Sequence, residues 1–93
     1  MVRRRTRPLR DAAEVGEVML EKCKYGLIGA GMMGQEHIRN ISLFEHAEVA
    51  AVFEPDDHMR ASASDLAPHA TQCGSIAELL SKSDLDALLI ASP

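Results

Sequence analysis

The chain has 93 residues, 46% of them hydrophobic and 26% charged, with a net charge of −4. This is room for one small globular domain with little core to spare. The five arginines of the first ten residues (Arg3, Arg4, Arg5, Arg7, Arg10) leave the rest acidic, with Lys22, Lys24, Arg39, Arg60 and Lys82 scattered and only one Tyr, two Phe and no Trp; neither a clustered basic surface nor an aromatic stacking platform is present, which excludes nucleic acid as a partner.

Residues 1–21 read as a basic, disordered extension. The stretch "PLRDAAEVGEVMLEK" is interrupted by Arg10, Asp11, Glu14 and Glu17, so it carries neither a secretory signal nor an acid-poor transit peptide. Met19 is an alternative start, because the organised pattern begins a few residues later. No run approaches the ~18 apolar residues of a membrane span. Cys23 and Cys73 belong to no CxxC pair and have no ligand-spaced histidine beside them; they read as reduced thiols, mostly buried, in a cytoplasmic protein.

From Lys22 onward, short apolar runs alternate with segments of helical period. "KYGLIG" is a strand of the buried type, and "MGQEHIRNISLF" a helix with Ile38, Ile41 and Phe44 on its apolar side and Met33 or His37 one turn earlier. "AEVAAVFE" is a second strand ending at Glu54. Asp56 or Asp57 then caps "HMRASASDLA", whose Met59, Ala63, Leu66 and Ala67 share a face. "ATQC" is a short strand, Ser75 and Glu78 form an S-x-x-E capping box before "IAELLS", and "DALLIAS" is a last apolar strand. The alternation predicts βαβ units and a doubly wound, Rossmann-type parallel sheet, incomplete at about four strands and three helices, in residues 22–93.

The glycines carry the chemistry. Gly29, Gly31 and Gly34 form G-x-G-x-x-G directly after a predicted strand and at the opening of a predicted helix, and Glu54 follows twenty residues beyond Gly34 at the end of the next strand. Gly29 permits the tight turn, Gly31 lets backbone approach a pyrophosphate, and Gly34 allows the helix to pack close to the sheet. The N–H groups and positive dipole end of the helix would hold the two negative charges without a lysine or arginine. Glu54 would accept from the adenosine ribose hydroxyls. Its charge opposes a 2′-phosphate and no base immediately follows it, so NAD(H) is favoured over NADP(H). Met32 and Met33 are expected to pack under the loop, His37 to be a partly buried structural imidazole, and His46, His58 and His69 to lie on the surface.

"KYGLIGAGMMGQEHIRNI", "AEVAAVFEPD" and "SIAELLSKSDLDALLIASP" together resemble the amino-terminal half of the Gfo/Idh/MocA oxidoreductases, and within them the myo-inositol dehydrogenase type. The resemblance covers Lys22 to Pro93. It implies oxidation of a sugar or polyol hydroxyl with hydride transfer to NAD. It also implies pyrophosphate contacts from Gly29, Gly31, Met32, Met33 and Gly34, adenosine-ribose contacts from Glu54, and a ribose and nicotinamide border at Ala91, Ser92 and Pro93. The family's E-K-P lysine and later aspartate–histidine pair have no counterpart up to Pro93, so these residues alone are expected to bind cofactor without turnover. The last strand is expected to offer an apolar edge for self-association. A non-catalytic NAD(H)-binding sensor or regulatory module is the alternative reading, and an S-adenosylmethionine methyltransferase a third.

Overall fold

The computed structural model describes residues 22–91; the extension expected at residues 1–21, together with Ser92 and Pro93, lies outside the described residues. The elements alternate as β1 (Cys23–Ile28), α1 (Met32–Ser42), β2 (Ala47–Phe53), α2 (Asp57–Leu66), β3 (Thr71–Cys73), α3 (Ile76–Leu80) and β4 (Ala87–Ile90). The four strands form one sheet in the order β3-β2-β1-β4, with every pairing parallel. The chain therefore winds outward through β2 to β3 and then returns past β1 to β4, and the order reverses at β1. In such sheets the crevice beyond the strand C-termini at that reversal is where ligands bind.

Successive side chains on a strand point to opposite faces, and the two hydrophobic clusters follow this alternation. Leu27, Ala30 and Val52 pack with Ile38 of α1 and Ala63 of α2 on one face. Ile28, Ala51 and Cys73 pack with Leu79 of α3 and with Leu85 on the other. Adjacent residues of one strand, Leu27 and Ile28 or Ala51 and Val52, thus serve different helical layers, which is why β1 and β2 read as continuous apolar runs.

A reciprocal clamp joins the beginnings of the neighbouring strands β1 and β4. Lys24 N donates to Asp86 Oδ2 at 2.8 Å, Asp86 N donates to the Lys24 carbonyl at 2.8 Å, and Lys24 Nζ lies 3.5 Å from Asp84 Oδ2. These contacts pin the entry of β4 beside β1, in register from Tyr25↔Ala87 to Ile28↔Ile90.

Capping proceeds largely as the sequence suggests. Asp56, not Asp57, caps α2 by accepting from Met59 N at 2.9 Å, and Ser75 caps α3 by accepting from Glu78 N at 3.0 Å. The return half of the box is displaced by one residue, because Glu78 Oε2 accepts from Gly74 N. Phe44 departs from expectation. Helix α1 ends at Ser42, where the Leu43 and Phe44 N–H groups turn back to the carbonyls of Asn40 and Ile41, and the ring is 65% exposed. The helix stops before the position that would have carried Phe44 onto the buried side. Among the described residues no helix is long and apolar enough to cross a membrane.

Candidate functional site

The turn between β1 and α1 stands at the C-terminal edge of the sheet, over the reversal of strand order. Gly29 has φ 94°, a left-handed conformation that a side chain would strain, and its N–H donates to Phe53 O at 2.9 Å, which ties the turn to the end of β2. Gly34 is forced by proximity. A Cβ on it would overlap the carbonyl oxygen of Gly29 and stand 2.9 Å from that carbonyl's carbon, so the first turn of α1 lies directly against the loop.

Gly31 is different. A Cβ built there meets nothing closer than Met59 Sδ at 3.6 Å, an ordinary van der Waals contact, and its φ of −73° suits any residue. Nothing in the fold itself requires glycine at this position, so the space it leaves open is available to a ligand. Gly31 is also the N-cap of α1, with no side-chain cap and no acid in the first turn. The other two helices have both a side-chain cap and an acidic residue there. An anion at α1 would supply what Asp56 and Ser75 supply to α2 and α3.

Glu54 lies at the end of β2 and is the one charged residue buried among the described residues, 7% exposed. Its Oε1 accepts the N–H of Ala30 at 2.7 Å and its Oε2 the N–H of Asp56 at 2.9 Å. The carboxylate therefore clasps the glycine loop to the β2–α2 turn. The two oxygens of a carboxylate offer about four acceptor positions, so about two remain for the hydroxyl groups of a ligand. Gln35 braces the loop from the other side, its Nε2 donating to Ala30 O at 2.9 Å.

These residues border one cavity of about 890 Å³, a volume suited to a cofactor. Of the expected site residues, Gly29, Gly31, Met32, Met33, Glu54 and Ala91 line it, and Gly34 lies behind the loop. Ala91 N donates to Ile28 O at 2.8 Å, carrying the β4 backbone past the end of β1. Ser92 and Pro93 lie outside the described residues. Met32 and Met33 do not pack under the loop as their apolar character suggests. They are 86% and 61% exposed, since Gly34 packs α1 so tightly that no room remains beneath it.

His37, expected to be structural, also lines the cavity, and its imidazole has no hydrogen-bond partner among the described residues. Met59, Ile76 and Ile90 complete an apolar border that sequence reasoning did not assign. Their signal is positional: Met59 and Ile76 open the helices that follow β2 and β3, and Ile90 ends β4, so parallel topology brings all three to one edge.

Comparison with known proteins agrees with this geometry. Residues 23–93 match the family model GFO_IDH_MocA, described as an oxidoreductase family with an NAD-binding Rossmann fold. The chain is 40% identical over 76 residues to an inositol 2-dehydrogenase of Arthrobacter sp. (strain FB24), a match that covers 81% of this chain and 23% of that protein. An NAD-binding protein from Listeria innocua superposes with TM-score 0.69 and 29% identity over 78% of this chain and 21% of its own. A scyllo-inositol dehydrogenase from Lactobacillus casei, solved with NAD(H) and scyllo-inositol, gives TM-score 0.66 and 25% identity over 78% of this chain and 22% of its own. The chain thus spans about a quarter of the length of the relatives it matches.

Proposed function

The chain belongs to the Gfo/Idh/MocA oxidoreductase family, as part of its NAD-binding Rossmann unit, and on that premise we propose that the cavity at the glycine loop is its NAD(H) site. The turn at Gly29, Gly31 and Gly34 and the first N–H groups of α1, those of Met32 and Met33, receive the pyrophosphate. Glu54 receives the adenosine ribose through its remaining acceptor positions, and Ala91 with Ser92 and Pro93 borders the ribose and nicotinamide side. The observation that carries this reading is the open space at Gly31, which the fold does not need and a phosphate approaching backbone does.

The bound cofactor supplies a hydride acceptor. These residues hold it and orient it; the reaction proposed for the whole protein is oxidation of a polyol hydroxyl to a ketone, with an inositol as the substrate class suggested by the relatives' names. NAD(H) is preferred to NADP(H), because a buried carboxylate at Glu54 opposes a 2′-phosphate. Two free cysteines accord with a cytoplasmic setting. A polypeptide of these 93 residues is also expected to self-associate through the outer edge of β4, where Ile90 is 67% exposed; a concentration-independent monomer in sedimentation velocity would count against this.

The test is an NADH titration followed by nicotinamide fluorescence, with thermal unfolding alongside. The wild type should saturate and gain melting temperature with ligand. Gly31→Ala should keep the unliganded melting temperature within a few degrees and lose most of the affinity. Equal affinity of Gly31→Ala and wild type would remove the pyrophosphate from this loop.

A further inference from the structure

Among the described residues no lysine or arginine lines the cavity, yet one guanidinium reaches the residue proposed to read the adenosine ribose. Arg60 lies six positions beyond Glu54, and the first turn of α2 brings it back, so that its Nη1 donates to the backbone carbonyl of Glu54 at 3.2 Å. Its Nη2 donates to Asp57 Oδ1, one helical turn earlier. The side chains are 38% and 91% exposed respectively, so Arg60 is the partly sheltered member of the pair and Asp57 the solvated one. Asp57 neither caps the helix, which Asp56 does, nor lines the cavity.

A guanidinium beside the end of the second strand is the group that accepts a 2′-phosphate, through paired N–H donors and full positive charge. Here that group is present but engaged. We propose that Asp57 is a cofactor-specificity residue: it holds and neutralises Arg60, and so keeps a ready-made 2′-phosphate ligand from serving NADP(H). Discrimination then has two parts, a repelling carboxylate at Glu54 and a restrained cation at Arg60. The neighbouring carboxylate of Asp56 accepts the N–H of Met59 at 2.9 Å and makes no ion pair with Arg60 among the described residues. This inference rests on the assignment of the cavity to NAD(H).

The experiment is titration of the full chain with NADH and with NADPH, for the wild type, Asp57→Ala, Arg60→Ala and the double variant, with circular dichroism to establish folding. Exposed ion pairs are worth little, so the change is modest: Asp57→Ala should tighten NADPH about three- to five-fold and leave NADH within about two-fold. In the Arg60→Ala background the same substitution should give no gain. Unchanged NADPH affinity in Asp57→Ala overturns the proposal, and so does a gain that persists without Arg60, which would belong to the lost negative charge alone. If Asp57→Ala fails to fold, Asp57→Asn makes the same comparison. Wild-type chain that does not bind NADH overturns the cofactor assignment and the proposal together; NADH binding with an unmoved NADPH affinity overturns the proposal only.

Discussion

Glu54 Oε1 accepts the N–H of Ala30 at 2.7 Å across 24 positions of sequence. Since Ala30 is fully buried, this bond is the only means by which its N–H is satisfied among the described residues. The acid that reads as a ribose ligand is therefore also a structural clasp for the loop that would receive the pyrophosphate.

Glu54→Ala removes the acceptors for Ala30 and Asp56 and leaves a buried N–H unpaired, which costs about 1–3 kcal/mol. In a domain of this size that is a fall of roughly 5–20 °C in melting temperature. Glu54→Gln retains a carbonyl for Ala30 and should lose less. Thermal unfolding of both variants without ligand makes the comparison; an unchanged melting temperature in Glu54→Ala would mean that the clasp is idle.

The three glycines should separate by consequence. Gly34→Ala places a methyl into the Gly29 carbonyl and must displace helix or loop, so a loss of about 2–4 kcal/mol or failure to fold is expected. Gly29→Ala pays about 1–2 kcal/mol for its positive φ. Gly31→Ala should lie within about 0.5 kcal/mol of wild type, because its Cβ has room. Urea unfolding of the three ranks them, and a Gly31 variant as unstable as the Gly34 variant would contradict the geometry.

Gln72 on β3 buries both Nε2 and Oε1 with no hydrogen-bond partner among the described residues. An apolar side chain of similar volume removes that desolvation penalty, so Gln72→Met or Gln72→Leu should stabilise by about 1–2 kcal/mol. A lowered urea midpoint in both would show that the amide is satisfied in solution.

Alkaline stability follows from Tyr25 and Cys73. Burial pushes the Tyr25 phenol above its ordinary value, aided by the charge of Cys23 and a hydrogen bond with it, and burial with the nearby Glu78 carboxylate raises the Cys73 thiol. Folding favours the protonated form of each, so the folded state binds more protons and stability falls as pH rises. The contribution is whole below the ordinary thiol value of 9.0 and is lost progressively above it, through the phenol range beyond 10.0. Unfolding free energy between pH 8 and 11 should decline for the wild type and less steeply for Tyr25→Phe with Cys73→Ala; parallel curves would exclude these groups.

What the sequence made legible was whatever depended on local pattern. The strands and helices fall within a residue or two of expectation because buried parallel strands are uninterrupted apolar runs and the caps at Asp56 and Ser75 are short-range. The glycine turn and Glu54 were legible because their spacing is itself a contact map. Phe44 was misplaced because helical period cannot say where a helix stops. Met32 and Met33 were misplaced because the tightness at Gly34, which expels them, is a distance between backbones. The placement of His37, Met59 and Arg60 was beyond reach for a third reason: a turn of helix packed on a sheet edge brings the first two to the cavity and the third to the Glu54 carbonyl, and that juxtaposition exists only after the crossovers are made.

The reciprocal clamp of Lys24 and Asp86 has a consequence for the order of assembly. It joins residues 62 positions apart, so β4 closes the longest loop in the sheet, whereas β1 and β2 meet across a single helix. As the chain emerges from a ribosome, the glycine turn and Glu54 can come together while Asp84 to Ile90 are still within the exit tunnel. The β1–β2 unit with its glycine turn is thus built first and β4 is recruited onto it, a sequence of events that pulse-labelled hydrogen exchange would record as earlier protection at Leu27 and Val52 than at Leu88 and Leu89.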